Sequence, residues 1–311
     1  MNAHLLPRSA VALALGATLA LGLTACNEDE TESTGSTPSM ATPTDDTAEA
    51  PAGPDAATGA GSDAGSGSGE SSGSAVGVYY AGKAGGGLRL YREFRSPRGD
   101  RLDAAARLVD GGEANDPDYR TLWPGQTVTG AEASDSLIEV DLNADAFTEA
   151  PDGMSRAEAE LAIQQMVYTL QGVVGERLPV QFVRTSGPEK LFGIDVSEPV
   201  KAADWEDALA PVNVTTPEQD STVTGDTLKV SGVASAFEGT VQWRILSGDA
   251  KVLHGFTTTE GWMDKLYPWE ASIDVSALEP GEYTFVASDS DAADAGEGNG
   301  PTEDSKTFTL R

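Results

Sequence analysis

The sequence predicts two folded domains in series, an α+β domain over 76–200 and an all-β sandwich over 212–311. The first prediction rests on one long helical stripe of apolar residues set among short strand patterns. The second rests on seven short strand patterns in about 100 residues, with turn residues between them and no helical pattern of useful length. A low-complexity segment before residue 76 predicts that a linker precedes both domains in the chain.

The first 25 residues have the features of a secretory signal. Arg8 precedes an apolar run at 11–23, and the small residues Thr24 and Ala25 follow that run. A charged start, an apolar centre and a small-residue end are typical of a cleaved signal peptide. The apolar run of about 13 residues is shorter than the ~20 that a membrane-spanning helix needs. We therefore predict a signal peptide over 1–25 and not a transmembrane anchor.

Leu23, Thr24, Ala25 and Cys26 resemble the lipobox of bacterial lipoproteins, which consists of an aliphatic residue, two small residues and a cysteine. The resemblance implies that the sulfur of Cys26 receives a diacylglycerol and that the chain is cut before this residue. Cys26 is the only cysteine of the chain, so it has no disulfide partner. Two acyl chains such as palmitate suffice for stable anchoring. We expect a lipid-anchored protein on the extracytoplasmic face of the cell membrane.

The charge of the chain narrows the classes of partner. The chain has 20 Lys and Arg against 50 Asp and Glu, a formal net charge of -30. Nucleic acids require basic surfaces, so we expect no nucleic-acid partner. Electrostatic attraction to anionic lipid is also unfavourable. Without disulfides, the domains depend on their apolar cores, and about 235 residues after the linker suffice for two domains.

The segment from 26 to 75 is predicted to be the lipidated cysteine followed by a disordered acidic linker. Residues 27–75 contain ten acidic residues, no Lys or Arg and no aromatic residue, and 61–74 is almost wholly Gly and Ser. Such a composition cannot bury enough apolar area to offset the chain entropy. As a flexible coil the linker would span roughly 35–40 Å between its ends. We interpret it as a tether.

The first domain is predicted to begin with strands at 76–80 and 88–94, joined by a glycine-rich turn. A helix then follows Asp100 as N-cap, with Gly111 and Gly112 at its end. Strands are expected near Val128 and at 137–142.

A long helix begins after Ser155, which forms a capping-box pattern with Glu158, and Gly172 and Gly175 mark its end. Its apolar stripe consists of Ala159, Ala162, Ile163, Met166, Val167, Leu170 and Val174. Closing strands at 180–183 and 191–194 complete a sheet with helices on one face.

Five short motifs occur in order in this domain: 104–112 (AAARLVDGG), 123–125 (WPG), 140–143 (VDLN) with Phe147, 164–170 (QQMVYTL) and 178–182 (LPVQF). Together they resemble the GerMN domain, which is named after a spore-germination protein. The resemblance implies an α/β unit similar to the ring-building motifs of envelope secretion machines. It also implies a role in spore cortex, peptidoglycan or envelope-complex assembly.

After an acidic connector at 201–211, the predicted strands of the sandwich lie at 212–214, 227–233, 241–246, 252–257, 270–275, 283–288 and 307–310. Tyr283 is expected to form a tyrosine corner, in which its hydroxyl bonds back to the main chain. The motifs 230–234 (VSGVA), 236–241 (AFEGTV) and 280–285 (PGEYTF) resemble the immunoglobulin-like domain of bacterial spore-germination proteins. The acidic loop at 289–305 departs from that pattern. It lacks EF-hand spacing, and calcium binding there stays open.

The sequence offers no clear catalytic set. His254 is the only histidine after the predicted signal, and we expect it on a sheet surface. The motifs of zinc sites are missing from the sequence, so we expect no metal and no cofactor. Two carboxylates would suffice for a glycosidase, but no pair stands out. Trp262 and Trp269 bracket an aromatic-rich loop that either covers the end of the sandwich or contacts a partner or glycan.

These observations predict a non-enzymatic interaction or scaffold protein of the bacterial cell envelope. Its partners would be the membrane, through the lipid on Cys26, and peptidoglycan or envelope proteins. The alternative is a lipoprotein that binds peptidoglycan, another glycan or a small solute. A carboxylate-based wall hydrolase is the third possibility.

Overall fold

The structure is a computed structural model that describes residues 75–144, 146–187, 189–289 and 301–311. These residues all belong to one compact unit, 67–311. The predicted signal peptide, Cys26 and the predicted linker lie outside the described residues, as does most of the acidic loop at 289–305. Among the described helices, none is both long enough and apolar enough to cross a membrane.

The first domain opens with an antiparallel hairpin of β1 (Val76–Ala84) and β2 (Gly87–Arg95). Its turn is formed by Gly85 and Gly86, in agreement with the predicted glycine-rich turn. Helix α1 (Arg101–Val109) follows, and the Asp100 carboxylate accepts hydrogen bonds from the amides of Leu102 and Asp103, both at 3.0 Å. This N-cap satisfies amides that have no partner inside the helix.

A three-stranded sheet forms the other part of the first domain, in the order β3 (Val128–Ala133), β4 (Ile138–Leu142) and β5 (Val180–Arg184). β4 and β5 are parallel, and helix α2 (Arg156–Val174) makes the crossover between them. Two short strands, β6 (Lys190–Leu191) and β7 (Ile194–Asp195), replace the predicted last strand. The hairpin and the three-stranded sheet are separate sheets that share one core with both helices.

Helix α2 begins and ends as its sequence predicts. Ser155 and Glu158 form both hydrogen bonds of a capping box, and Gly175 ends the helix with a φ of 84°. The helix is buried around more of its circumference than its apolar stripe indicates, because Gln165 and Thr169 are also buried. Thr169 accepts a hydrogen bond from the amide of Tyr79 at 3.0 Å, which fixes α2 against β1. The polar side chains therefore serve the packing of the helix.

The second domain is a β-sandwich of eight strands: β8 (Val212–Thr216), β9 (Ser221–Val223), β10 (Thr227–Ala234), β11 (Thr240–Ser247), β12 (Ala250–Thr258), β13 (Tyr267–Asp274), β14 (Gly281–Asp289) and β15 (Glu303–Leu310). One sheet has the order β13-β10-β8 and the other β12-β11-β14-β15-β9. Side chains from both sheets, among them Ile245, Trp269 and Phe285, form a separate core. The α+β and all-β classes predicted from the sequence are both confirmed.

Three details of the sandwich refine the sequence prediction. The hydroxyl of Tyr283 donates to the carbonyl oxygen of Glu279 at 2.7 Å, which confirms the tyrosine corner. Strand β9, which has three residues and pairs in parallel with β15, was not predicted from the sequence. β15 begins at Glu303, earlier than the predicted start at 307. The apolar alternation did not reveal its first residues, because two inward positions carry Asp304 and Lys306 instead of apolar residues.

Candidate functional site

Four buried polar side chains join the two domains. Asp304 and Lys306 lie on β15 of the sandwich, and Asp116 and Tyr119 follow α1 in the first domain. The Lys306 Nζ lies 2.5 Å from Oδ2 of Asp116 and 3.6 Å from Oδ1 of Asp304, and these three side chains are between 1% and 4% exposed. We call these four residues the junction cluster.

Hydrogen bonds from neighbouring groups satisfy the carboxylates of the junction cluster. The Tyr119 hydroxyl donates to Asp304 Oδ1, and the amide of Val214 donates to Oδ2 at 2.5 Å. Asn213 Nδ2 also donates to Oδ2, at 3.1 Å. Buried charges persist when they are paired and hydrogen-bonded in this way. The cluster therefore favours one specific arrangement of the two domains.

Aromatic rings complete the junction cluster. The Lys306 ammonium lies 4.2 Å from the centre of the Tyr119 ring. The Tyr91 ring stacks on the Tyr119 ring, with 4.8 Å between the ring centres. Burial raises the pKa of Tyr119 well above its usual range, and the adjacent Asp304 carboxylate raises it further. Burial also raises the pKa of Asp304, against the opposing effect of Lys306. The tyrosine hydroxyl therefore stays protonated at neutral pH and acts as a hydrogen-bond donor.

The predicted connector at 201–211 packs against the first domain through main-chain hydrogen bonds. It contains a short helix, α3 (Trp205–Ala208). After that helix, the amide of Ala210 donates to the carbonyl of Leu90 at 3.0 Å, and Leu209 forms a bridge with the same residue. The connector and the junction cluster both join the two domains, which belong to one compact unit.

The aromatic-rich loop of the sandwich divides into a buried and an exposed part. Trp269 on β13 is 3% exposed and belongs to the core. Trp262 is 37% exposed, Met263 is 62% exposed, and Phe237 is 44% exposed. The rings of Phe237 and Trp262 meet edge to face at 5.0 Å. We call these three exposed residues the apolar tip; surface clusters of this kind mark contacts with partners.

A cavity of about 900 Å³ lies beside the N-terminal half of α2 and has several carboxylates in its wall, among them Glu158 and Asp195. The main-chain and side-chain hydrogen bonds of Ser155 lower the pKa of Glu158, and Arg120 contributes as well. Hydrogen bonds from Ser197 lower the pKa of Asp195. The general acid of a glycosidase requires a raised pKa, so these two carboxylates do not suit that role.

The remaining residues that the sequence analysis singled out lie apart from these features. His254 is exposed on β12, as predicted. The described part of the chain contains no group of three or more His, Cys, Asp or Glu side chains that could hold a metal ion. Cys26 and residues 290–300 of the acidic loop fall outside the described residues, so lipidation stays a prediction and calcium binding by the loop stays open.

Sequence reasoning did not find the junction cluster. Its members Asp116 and Lys306 lie 190 positions apart in the chain, so no local spacing connects them. One signal was present, because Asp304 and Lys306 continue the inward alternation of Phe308 and Leu310. A charged pair in register with core residues indicates that another element covers that end of the strand.

Two family models match the chain. Residues 77–184 match the model described as sporulation and spore germination, and residues 211–296 match the immunoglobulin-like domain of bacterial spore germination. The chain carries both domains, in that order. This agrees with the resemblance seen in the sequence motifs, and we now refer to them as the GerMN and immunoglobulin-like domains.

Comparison with solved structures gives distant matches. The tandem GerMN domains of the sporulation protein GerM from Bacillus subtilis match at 13% identity and a TM-score of 0.31, covering 65% of this chain and 62% of that one. An engineered protein matches at 14% identity with a TM-score of 0.25, covering 57% of this chain and 49% of that one.

The endo-beta-1,4-mannanase from Thermotoga petrophila matches at 11% identity and a TM-score of 0.25, covering 54% of this chain and 38% of that one. This chain thus spans between 38% and 62% of the length of these three structures, and such low TM-scores carry no conclusion about activity. A search of curated proteins found no match.

Proposed function

We propose that this chain is a lipid-anchored interaction protein on the extracytoplasmic face of the bacterial cell envelope, associated with cell-wall or envelope-complex assembly. Cys26 carries the diacylglycerol, the acidic linker sets the reach, and the GerMN and immunoglobulin-like domains bind partners as one body. The lipobox pattern at 23–26 supports the anchor. The two spore-germination family domains support the envelope role.

The observation that carries the interaction role is the apolar tip. Exposing two aromatic rings and a methionine to water is unfavourable unless a partner covers them for part of the time. Aromatic residues and methionine are also enriched at the centres of protein interfaces. The tip is held in place, because the amide of Met263 donates to the Ser235 hydroxyl at 2.9 Å. A fixed apolar surface on a single body suits an envelope protein as partner.

The test is cross-linking in intact cells from a photoreactive residue in place of Met263. We expect covalent products with a discrete envelope protein. Phe237→Ser combined with Trp262→Ser should reduce their yield about tenfold or more, since loss of a central aromatic contact costs about 2 kcal/mol or more. Phe256→Ser is the matched control, because Phe256 is 70% exposed but lies on β12 outside the tip. Products containing only this chain and lipid would contradict the interaction role.

The glycan-binding alternative receives support from a different part of the molecule, a groove beside the connector that is lined by Arg92, Arg177, Lys201 and Lys265. A wall hydrolase receives no comparable support from Glu158 and Asp195 in the wall of the 900 Å³ cavity, since both carboxyl groups have lowered pKa values. Zymography on cell-wall substrate is expected to give no clearing.

A further inference from the structure

A groove of about 630 Å³ lies where the GerMN domain, the connector and the immunoglobulin-like domain meet. Its wall contains four basic residues, Arg92 on β2, Arg177 after α2, Lys201 in the connector and Lys265 before β13. We call it the basic groove. We propose that the basic groove binds a carboxylate-bearing oligosaccharide. This proposal goes beyond the interaction role and rests on neither the lipid anchor nor the apolar tip.

The four basic residues are available to a ligand. Within the described part of the chain, none of them forms an ion pair with a carboxylate. Six basic residues outside the groove do form such pairs, namely Arg95, Arg107, Arg120, Arg156, Arg244 and Lys306, while other described ones, such as Lys83 and Lys251, do not. Unpaired cations gathered at one groove stand out in a chain whose net charge is -30. They would attract an anionic ligand electrostatically at the groove, whereas the rest of the negatively charged surface would repel it.

Arg92 and Arg177 are held in place by contacts that leave donors unused. The Arg92 guanidinium lies 4.8 Å from the centre of the Phe94 ring, and its buried Nε has no hydrogen-bond partner. The Arg177 guanidinium lies 5.2 Å from the Tyr168 ring centre and donates to Gln171 Oε1 at 3.3 Å. Planar guanidinium groups that are already positioned lose little freedom when they bind a carboxylate.

Aromatic side chains supply the second half of a saccharide site. Tyr79, Tyr168 and Trp205 line the same groove, and the first two rings are 5.6 Å apart. The Tyr168 hydroxyl donates to the carbonyl of Ala203 at 2.6 Å, which fixes its ring. Aromatic rings with a polar handle pack against the apolar faces of sugar rings while leaving the sugar hydroxyls in water.

The chemistry of the groove narrows the ligand class. Asp204 and Asp264 also line it, so its formal charge is only slightly positive, and a dense polyanion is disfavoured. The volume falls within the roughly 300–1,000 Å³ of small-molecule sites, which suits a few sugar units better than a protein domain. A ligand with widely spaced carboxylates between apolar sugar faces fits both the cations and the rings.

The test uses a soluble chain of residues 67–311, which contains both cores. The probe is a tetrasaccharide of alternating N-acetylglucosamine and N-acetylmuramic acid, whose lactyl groups carry free carboxylates. Chitotetraose is the matched probe, because it has the same sugar backbone without carboxylates. In calorimetric titration, the carboxylated tetrasaccharide is expected to bind at least about tenfold more tightly than chitotetraose. Its binding should become weaker as salt is added.

Two variants connect binding to the groove. Arg92→Gln with Arg177→Gln should weaken binding of the charged probe about tenfold or more. Lys201→Gln with Lys265→Gln should weaken it about threefold to tenfold, and both lysines are exposed, so folding is expected to be retained. Lys83→Gln with Lys251→Gln is the control pair, since both residues are exposed and lie outside the groove. That pair should bind like wild type.

Three results would overturn the proposal. One is the lack of binding of the charged tetrasaccharide at about 1 mM, where even weak complexes are measurable. The second is equal affinity for chitotetraose, which would exclude carboxylate recognition. The third is tighter binding of inorganic phosphate or a poly(glycerol phosphate) than of the carboxylated sugar. None of these results would affect the proposed role of the apolar tip, because the cross-linking experiment changes residues outside the basic groove.

Discussion

Replacing Lys306 with alanine is expected to lower the free energy of unfolding by about 3–5 kcal/mol. The change leaves the carboxylates of Asp116 and Asp304 buried together without the ammonium that lies 2.5 and 3.6 Å from them. It also removes the hydrogen bond from Nζ to the Tyr119 hydroxyl, at 2.9 Å. Breaking a buried ion pair from one side is costly, because the remaining charge has neither water nor a partner.

Urea unfolding of residues 67–311 at pH 7 measures this loss. The matched control is Arg156→Ala, whose ion pair with Glu160 at 2.9 Å is largely exposed, and we expect a change of at most about 0.5 kcal/mol. Burial already raises the pKa of Asp304, and the change removes the opposing effect of Lys306, so this pKa rises further and protonation of Asp304 favours the folded variant. The deficit should therefore shrink as the pH falls from 7 toward 4. A loss of less than about 1 kcal/mol at pH 7 would contradict the importance of the junction cluster.

Replacing Cys26 with serine is expected to abolish lipid attachment. The hydroxyl is a much weaker nucleophile than a thiol, and Cys26 is the only cysteine in the chain. Cells grown with an alkyne-tagged fatty acid should label the wild-type protein and leave the variant unlabelled. The variant should also move from the membrane fraction to the medium, because the linker and the acidic domains have no attraction to anionic lipid.

Asn27→Ser is the control for this experiment, since it changes the next residue and keeps the cysteine. It should be labelled and retained like wild type. The circular dichroism of the Cys26→Ser variant should be unchanged, because both cores begin at or after Val76. Fatty-acid labelling that persists in the Cys26→Ser protein would show that the lipobox interpretation is wrong.

Elements specified by nearby residues could be predicted from the sequence. Asp100 and Ser155 begin helices because their side chains bond to amides two or three positions away. Gly175 ends α2 because a positive φ costs glycine little. The tyrosine corner is likewise local, since Tyr283 and Glu279 are four residues apart. Each of these features depends on residues no more than four positions apart in the sequence.

Features that depend on distant partners were missed or left open. The sequence could not decide between exposure and burial for Trp262 and Trp269, because both belong to one short stretch. The register of β13 decides it, since Trp269 lies opposite Gly232 on β10. A side chain at that glycine would come within 2.7 Å of the indole, so the missing side chain creates the space that Trp269 fills. Trp262 lies outside the strands and is 37% exposed.

The basic groove is a stronger example of the same limit. Its cations come from four separate segments between residues 92 and 265, so no local pattern in the sequence brings them together. Only the folded arrangement shows that they share a wall with three aromatic rings. An overall charge of -30 points away from an anionic ligand, while the local arrangement favours one.

The central claim is that the GerMN and immunoglobulin-like domains act as one body. Scanning calorimetry of wild-type residues 67–311 tests it most directly, because cooperative unfolding requires that the junction be lost together with the cores. The account predicts one transition, with a calorimetric enthalpy equal to the van't Hoff enthalpy. Two separable transitions in the wild-type protein, with Lys306→Ala leaving both of them unchanged, would contradict it.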